Sequence, residues 1–153
     1  MQSLEHRIPP PAIALVVALA MWAFALVAPR FAISPMVRIV AALAIALAGI
    51  AISAAGAATF RRAKTTLNPI KPEAASVLVT HGVFRWTRNP MYVGVGLVLV
   101  AWALFLASAF AFVGPVVFVL YINRFQIAPE ERALTELFGT SYAAYRRDVR
   151  RWL

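Results

Sequence analysis

The chain of 153 residues contains no cysteine, only six acidic residues and only two histidines. Without cysteine, a disulfide framework, a thiolate metal site and a cysteine nucleophile are all excluded. Asp148 is the only aspartate, which leaves a Ser/His/Asp triad without support. His81 is the only histidine outside the extreme N-terminus and has no second ligand at a zinc spacing. We therefore expect no metal site.

Apolar residues dominate what is present: 62% of the chain is hydrophobic, the mean hydropathy is +0.77 and 14% is charged. This is too little charge to cover a soluble domain and too apolar for disorder. Uncharged runs predict transmembrane helices at about residues 12–29 and 39–60. A third run, Pro90 to Asn123, would extend about 50 Å as one helix, well beyond a hydrocarbon core of about 30 Å. We therefore predict two helices there, at about residues 91–108 and 112–126, with Gly114-Pro115 near the turn.

The 15 Lys and Arg residues follow this alternation, with 13 on one side of the membrane and 2 on the other. The positive-inside bias then places both termini in the cytoplasm, in an inner (cytoplasmic) membrane. The net charge of +9 is a topology signal, so the expected partner is the lipid bilayer and not nucleic acid. The predicted fold is an all-α integral membrane protein, a single domain over residues 1–153. It has four transmembrane helices, a C-terminal helical hairpin and cytoplasmic amphipathic tail helices.

Polar residues concentrate in the loop 61–90 and the tail 127–153. In the loop, Asn89 is predicted to cap a helix that begins at Pro90. The free N–H groups of such a helix start suit a carboxylate or phosphate. The alternative is that this segment only begins a helix, and that Arg85 and Arg88 anchor it at the lipid headgroups.

The tail predicts a helix that begins at Pro129 and is closed by Gly139. Its acidic first turn either compensates the helix dipole or engages a cationic ligand. A second amphipathic helix is predicted to lie at the membrane interface. Its apolar face would comprise residues at three- and four-residue spacing, namely Tyr142, Tyr145, Val149 and Trp152.

Two segments together resemble a known family. LVTHGVFRWTRNPMYVG resembles the L-V-T-x-G-aromatic…R-H/N-P-x-Y-x-G signature of the isoprenylcysteine carboxyl methyltransferase and phospholipid methyltransferase superfamily. EERALTELFGTSYAAYRRDVRRW resembles the E-E-x-x-L…F-G…Y…Y…V-x-R ending of the same superfamily. The resemblance covers about residues 63–153, and a helical hairpin of the expected length separates the two motifs.

The resemblance implies an integral membrane methyltransferase that uses S-adenosyl-L-methionine without a Rossmann domain. Asn89 and Phe84 stand where carboxyl methyltransferases of the superfamily have His and Tyr. Gln126 stands where they have a substrate-binding arginine, and Arg124 is the nearest arginine, so these two residues are the substrate-binding candidates. The implied cofactor-binding residues are Ser76, Val77, Leu78, Val79, Phe84, Asn89, Pro90, Met91, Tyr92 and Glu130.

The predicted reaction is methyl transfer to a lipophilic, membrane-partitioning acceptor: an isoprenylcysteine-like carboxylate, a lipid amine or a small thiol. The catalytic residue is left open, and the candidates for a general base are Tyr92, His81 and Glu131. Phe84, Trp86 and Tyr92 are expected to pack on adenine or to face the sulfonium. The alternative function is a non-catalytic membrane scaffold or carrier, although the spans lack the ionisable residue that a carrier pathway usually contains.

Overall fold

The computed structural model describes residues 8–63 and 77–153, and the regular elements of these ranges are all helical. Short 3₁₀ helices at Gly82–Arg85 and Ala109–Phe112 precede α3 and α4, and a π-helical turn, Asn123–Ile127, joins α4 to α5. The five α-helices are α1 (Pro10–Val27), α2 (Pro35–Arg62), α3 (Pro90–Leu106), α4 (Val113–Ile122) and α5 (Ala128–Asp148).

Three helical stretches of the described residues are long and apolar enough to cross a membrane: α1, α2 and the continuous run Ala109–Asp148. Helix α3 is equally apolar but has 17 residues. The all-helical membrane class is therefore confirmed, while the fourth crossing remains a prediction. The helices differ from the predicted spans mainly at their ends, because lipid-sized apolar runs do not mark the residue where a helix begins.

Proline fixes several of these beginnings. Pro10, Pro35 and Pro90 each lie in a first helical turn, where the missing N–H has no partner to lose. Asn89 occupies the predicted N-cap position of α3, but its side chain makes no capping hydrogen bond. The side-chain nitrogen Nδ2 of Asn89 instead donates to the backbone carbonyl oxygen of Arg151 at 2.9 Å.

The predicted helical hairpin is present, with a turn made of two unequal parts. Helix α3 ends at Leu106 because Ala107 adopts the left-handed conformation, with φ of 53°. The 3₁₀ helix then leads into α4, and Pro115 lies in the first turn of α4. The predicted third span, 91–108, therefore extends two residues beyond the end of α3. The predicted fourth span, 112–126, begins one residue before α4 and continues into the π-helical turn.

Helix α3 is the centre of the bundle. Helix α2 packs along one side of it, and α1 and α4 pack on the other. At the crossing of α2 and α3, a Cβ atom on Gly49 or Gly94 would overlap the carbonyl oxygen of the other residue. The prediction that small residues in the second span allow a close backbone approach is therefore confirmed.

Different segments of the chain meet at the two ends of the helical bundle. At one end, the backbone N–H of Phe31 donates to the carbonyl of Ala107 at 2.7 Å, which ties the loop after α1 to the hairpin turn. At the other end, the start of α1, the end of α2, the start of α3 and the first half of α5 converge. The two polar segments that carry the sequence motifs therefore meet at one end.

Candidate functional site

A cavity of about 310 Å³ lies at this second end, within the range of about 300–1,000 Å³ that small-molecule sites occupy. Its lining is largely apolar and comes from the segment after residue 76, from α3 and α5, and from the ends of α1 and α2. The lining residues are Pro10, Pro11, Phe60, Val77, Leu78, Val79, Phe84, Arg88, Asn89, Pro90, Met91, Tyr92, Val95, Ile127, Glu130, Glu131, Leu134, Tyr142 and Tyr145.

All of the predicted cofactor-binding residues except one line this cavity. Ser76 is the exception and lies outside the described residues. Residues from both sequence motifs, which are about 40 positions apart, thus face one space. That these residues bind a cofactor remains a prediction.

The closest link between the two motifs joins Tyr92 of α3 to Glu130 of α5. The Tyr92 hydroxyl donates to Oε1 of Glu130 at 2.6 Å. A bond this short is typical of an O–H donor on a carboxylate. Among the described residues, Tyr92 is the side chain that donates a hydrogen bond to the Glu130 carboxylate.

Glu130 lies beyond the apolar part of its helical run, which ends before Pro129. Burial raises the pKa of Glu130 from 4.5 to about 7, because a charged carboxylate loses its hydration there. The Tyr92 hydrogen bond lowers this pKa, and the neighbouring charge of Glu131 raises it. Glu130 therefore changes its charge near neutral pH.

Glu131, a candidate general base, has a different environment. Its Oε1 forms an ion pair with NH1 of Arg88 at 2.9 Å and accepts a hydrogen bond from Nε of Arg151 at 3.0 Å. Its Oε2 accepts from NH2 of Arg151 at 2.6 Å, and its side chain is 9% exposed. Because both oxygens are engaged by guanidinium groups, Glu131 is the less suitable of the two carboxylates to accept a proton from a substrate.

Two tyrosines of α5 form one wall of the cavity. The Tyr145 hydroxyl donates to the carbonyl oxygen of Phe84 at 2.8 Å, and Tyr142 lies 3.5 Å from NH1 of Arg88. Burial raises the pKa of Tyr145 well above its ordinary value, so its hydroxyl remains a donor. These two rings of the predicted apolar face are buried in the protein, where each hydroxyl has a polar partner, and the position of this segment at the membrane interface stays a prediction.

The structure also corrects the extent of that helix. Helix α5 ends at Asp148, and Val149 is extended, so Val149 and Trp152 do not continue a helical face. Gly139 interrupts α5 with φ of 49° and ψ of −119°. The predicted break at this glycine is present, but the helix resumes after it.

Four residues predicted for the site do not line the cavity. His81 is exposed before the 3₁₀ helix, and Trp86 is 78% exposed. Arg124 is also exposed, with its guanidinium 5.7 Å from the Phe125 ring centre. Gln126 is buried and donates to the carbonyl of Ile8 at 2.9 Å. The last two lie in the π-helical turn, of which only Ile127 lines the cavity.

Sequence reasoning missed part of the lining and part of its support. Anchoring of Arg88 at the lipid headgroups was one of two interpretations of the sequence, but its side chain is 10% exposed and pairs with Glu131. Phe60 packs edge to face on Phe84, with ring centres 5.0 Å apart. Arg151 is the arginine of the V-x-R ending, so a signal for its role was present in the sequence. No group of three or more metal-ligating side chains occurs in the described part of the chain.

Comparison with known proteins agrees with this arrangement. A sequence model of the family described as phospholipid methyltransferase matches residues 37–141, more than half of the chain. An uncharacterized protein of Haemophilus influenzae is 48% identical over 63 residues, which are 41% of this chain and all of that protein. No solved structure matches the chain. The class defined by fold and sequence is that of membrane methyltransferases, and the chain belongs to the phospholipid methyltransferase family.

Proposed function

We propose that this protein transfers a methyl group from S-adenosylmethionine to an acceptor that partitions into the membrane. The observation that supports this most is the single cavity shared by the two motifs, in which the Tyr92 hydroxyl meets Glu130 at 2.6 Å. Family membership supports methyl transfer on a membrane substrate in general. We propose the identity of the donor, the class of the acceptor and the roles of the lining residues.

The lining suits such a donor, which when bound supplies a methyl group activated by a sulfonium. Phe84 and the valine and leucine side chains around it offer an apolar surface for a planar base. Glu130 offers a carboxylate for cationic or hydroxyl groups. Arg88 belongs to the first motif and lines the cavity near the start of α3, where its positive charge could attract an anionic group of the donor.

The main task of the chain is to hold two molecules in line and to exclude water. Positioning donor and acceptor at about 3–3.5 Å removes much of the entropic barrier to a displacement reaction. The apolar lining keeps water away from the reacting groups. If the acceptor is an amine or a thiol, it must lose a proton, and the general-base candidates that line the cavity are Tyr92 and Glu131.

The acceptor would reach this cavity from the bilayer. Helix α1 packs on α3 and α4, helix α2 packs on α3, and α1 and α2 make little contact with each other. Pro10 and Pro11 of α1 and Phe60 of α2 nevertheless line the same cavity. A hydrocarbon chain lying between α1 and α2 would therefore place its polar end at Glu130. The positive residues near this end support a cytoplasmic position for the cavity and for both termini.

Thermal stabilisation by S-adenosylhomocysteine tests the donor. Ligand at 100 times its Kd stabilises a protein by about 2.7 kcal/mol. We expect a clear rise in Tm for the detergent-solubilised protein, loss of the rise in Glu130→Ala, and an unchanged rise in the control His81→Ala. Asn89→Ala should also lose it, since Asn89 holds the Arg151 carbonyl. No shift at millimolar ligand would contradict the proposal.

A second experiment identifies the acceptor. Membranes containing the protein would be incubated with radiolabelled S-adenosylmethionine, and label would be sought in lipids, lipid-linked carboxylates and small thiols. Label that appears with the wild type and not with Glu130→Ala identifies the acceptor class. A non-catalytic scaffold would give no label in any fraction and would tolerate Glu130→Ala.

A further inference from the structure

The residues that follow α5 lie across the beginning of α3. We call residues 149–152 the strap. The backbone N–H of Arg88 donates to the carbonyl of Arg150 at 3.0 Å. The carbonyl of Arg151 accepts from Nδ2 of Asn89 at 2.9 Å and from Oγ1 of Thr87 at 3.2 Å. Three consecutive residues of the signature are thus bonded to the strap.

The strap, which is the end of the second motif, is also bonded to residues around the start of α5. The Arg151 guanidinium makes two parallel hydrogen bonds to the Glu131 carboxylate, a geometry that fixes orientation as well as distance. Nε1 of Trp152 donates to Oδ1 of Asn123 at 3.0 Å, at the junction between α4 and α5. The strap therefore connects the start of α3 with the start of α5.

This connection matters because α3 and α5 do not pack along each other. Their starts are joined instead through side chains, and Glu131 contributes by pairing with both Arg88 and Arg151. Tyr92 lies in the first turn of α3, four residues after Arg88, and Glu130 precedes Glu131 directly. Whatever fixes Arg88 against Glu131 therefore also sets the distance from Tyr92 to Glu130.

We propose that Arg151 is a positioning residue: through Glu131 and Arg88 it holds the two helix starts at the separation that brings Tyr92 and Glu130 together in the cavity. Arg151 does not line the cavity, so its effect is indirect. This inference rests on the proposed function, because it concerns the affinity of the cavity for the methyl donor and its product.

A double-mutant cycle between Arg151 and Tyr92 tests it. The Kd of S-adenosylhomocysteine would be measured for wild type, Arg151→Met, Tyr92→Phe and the double variant, at a temperature where each is folded. We expect about a tenfold weakening for Arg151→Met and about a fivefold weakening for Tyr92→Phe, within the usual coupling range. The double variant should weaken binding about tenfold, because without Arg151 the Tyr92 hydroxyl is already misplaced.

The control is Arg147→Met, which removes the same charge from an exposed side chain of α5 and should bind as the wild type does. If Arg151→Met does not fold, Arg151→Lys replaces it in the cycle. Lysine keeps the charge but not the two parallel bonds, so about a threefold loss is expected.

Multiplicative effects, close to fiftyfold in the double variant, would overturn the inference, because a purely structural role lowers Tm without coupling to Tyr92. Arg151→Met binding as Arg147→Met does would overturn it too. Failure of the wild type to bind S-adenosylhomocysteine would be a different result, since it contradicts the proposed function before any variant is compared.

Discussion

The charge of Glu130 gives the most specific prediction. Its carboxyl has a pKa of about 7 in the folded protein, against 4.5 for an ordinary glutamate. If the ionised form holds the cationic donor, binding requires that Glu130 has lost its proton. At pH 6 about one carboxyl in eleven is ionised, and at pH 8.5 nearly all are, so the affinity should rise about tenfold, or about 1.4 kcal/mol.

The assay is calorimetric titration of S-adenosylmethionine between pH 5.5 and pH 8.5 for wild type and Glu130→Gln. The ligand titrates identically in both experiments, so the difference between the two profiles isolates Glu130. We expect a rise through about pH 7 in wild type only. A flat wild-type profile, or a rise of equal size in Glu130→Gln, would refute the assignment of Glu130 to the donor.

The ligand-free protein should respond to pH in the opposite direction. A folded pKa above the unfolded value means that the protonated carboxyl favours folding. This contribution is fully present below about pH 4.5 and is lost as the pH rises through about 7. A shift of this size corresponds to about 3 kcal/mol. The Tm of wild type should therefore fall more than that of Glu130→Gln between pH 5 and pH 8.

Three further predictions concern packing and the boundaries of the site. Gly94→Ala should lower the free energy of unfolding by about 1–3 kcal/mol in a denaturation assay, because the new Cβ meets α2, whereas Gly96→Ala has open space around it and serves as the control. Tyr145→Phe should cost about 1–3 kcal/mol in the same assay, since it leaves the Phe84 carbonyl without its donor; no loss would contradict the buried bond. His81→Ala should retain methyl transfer within about twofold of wild type, and a larger loss would return His81 to the site.

The helices of this protein were predictable because lipid requires long apolar runs and proline marks where several begin. The partner of each helix was less predictable. The small residues of α2 indicated a close crossing, but only the coordinates identify Gly94 as the residue opposite Gly49. The turn after α4 was not predictable, because a π-helical turn has no strong sequence signal.

The candidate site was also predictable only in part. Resemblance to a family identified the residues around the cavity, but it did not separate those that face the cavity from those that support it. Arginine and tyrosine are typical of membrane-interface segments. Arg88 and Tyr142 are nevertheless largely buried, because Arg88 pairs with Glu131 and the Tyr142 hydroxyl accepts from Arg88. Such long-range pairing cannot be read from periodicity, which reports only local faces.

Glu130 and Glu131 are neighbours in one helical turn, yet their environments separate their roles. Successive helical residues point about 100° apart, so Glu131 meets Arg88 and Arg151 while Glu130 meets the Tyr92 hydroxyl in the cavity. Neighbouring carboxylates in different environments commonly divide chemical tasks. The ion pairs of Glu131 with Arg88 and Arg151 fix the frame of the cavity. We therefore expect ligand binding to change the protonation of Glu130, whose carboxyl faces the cavity.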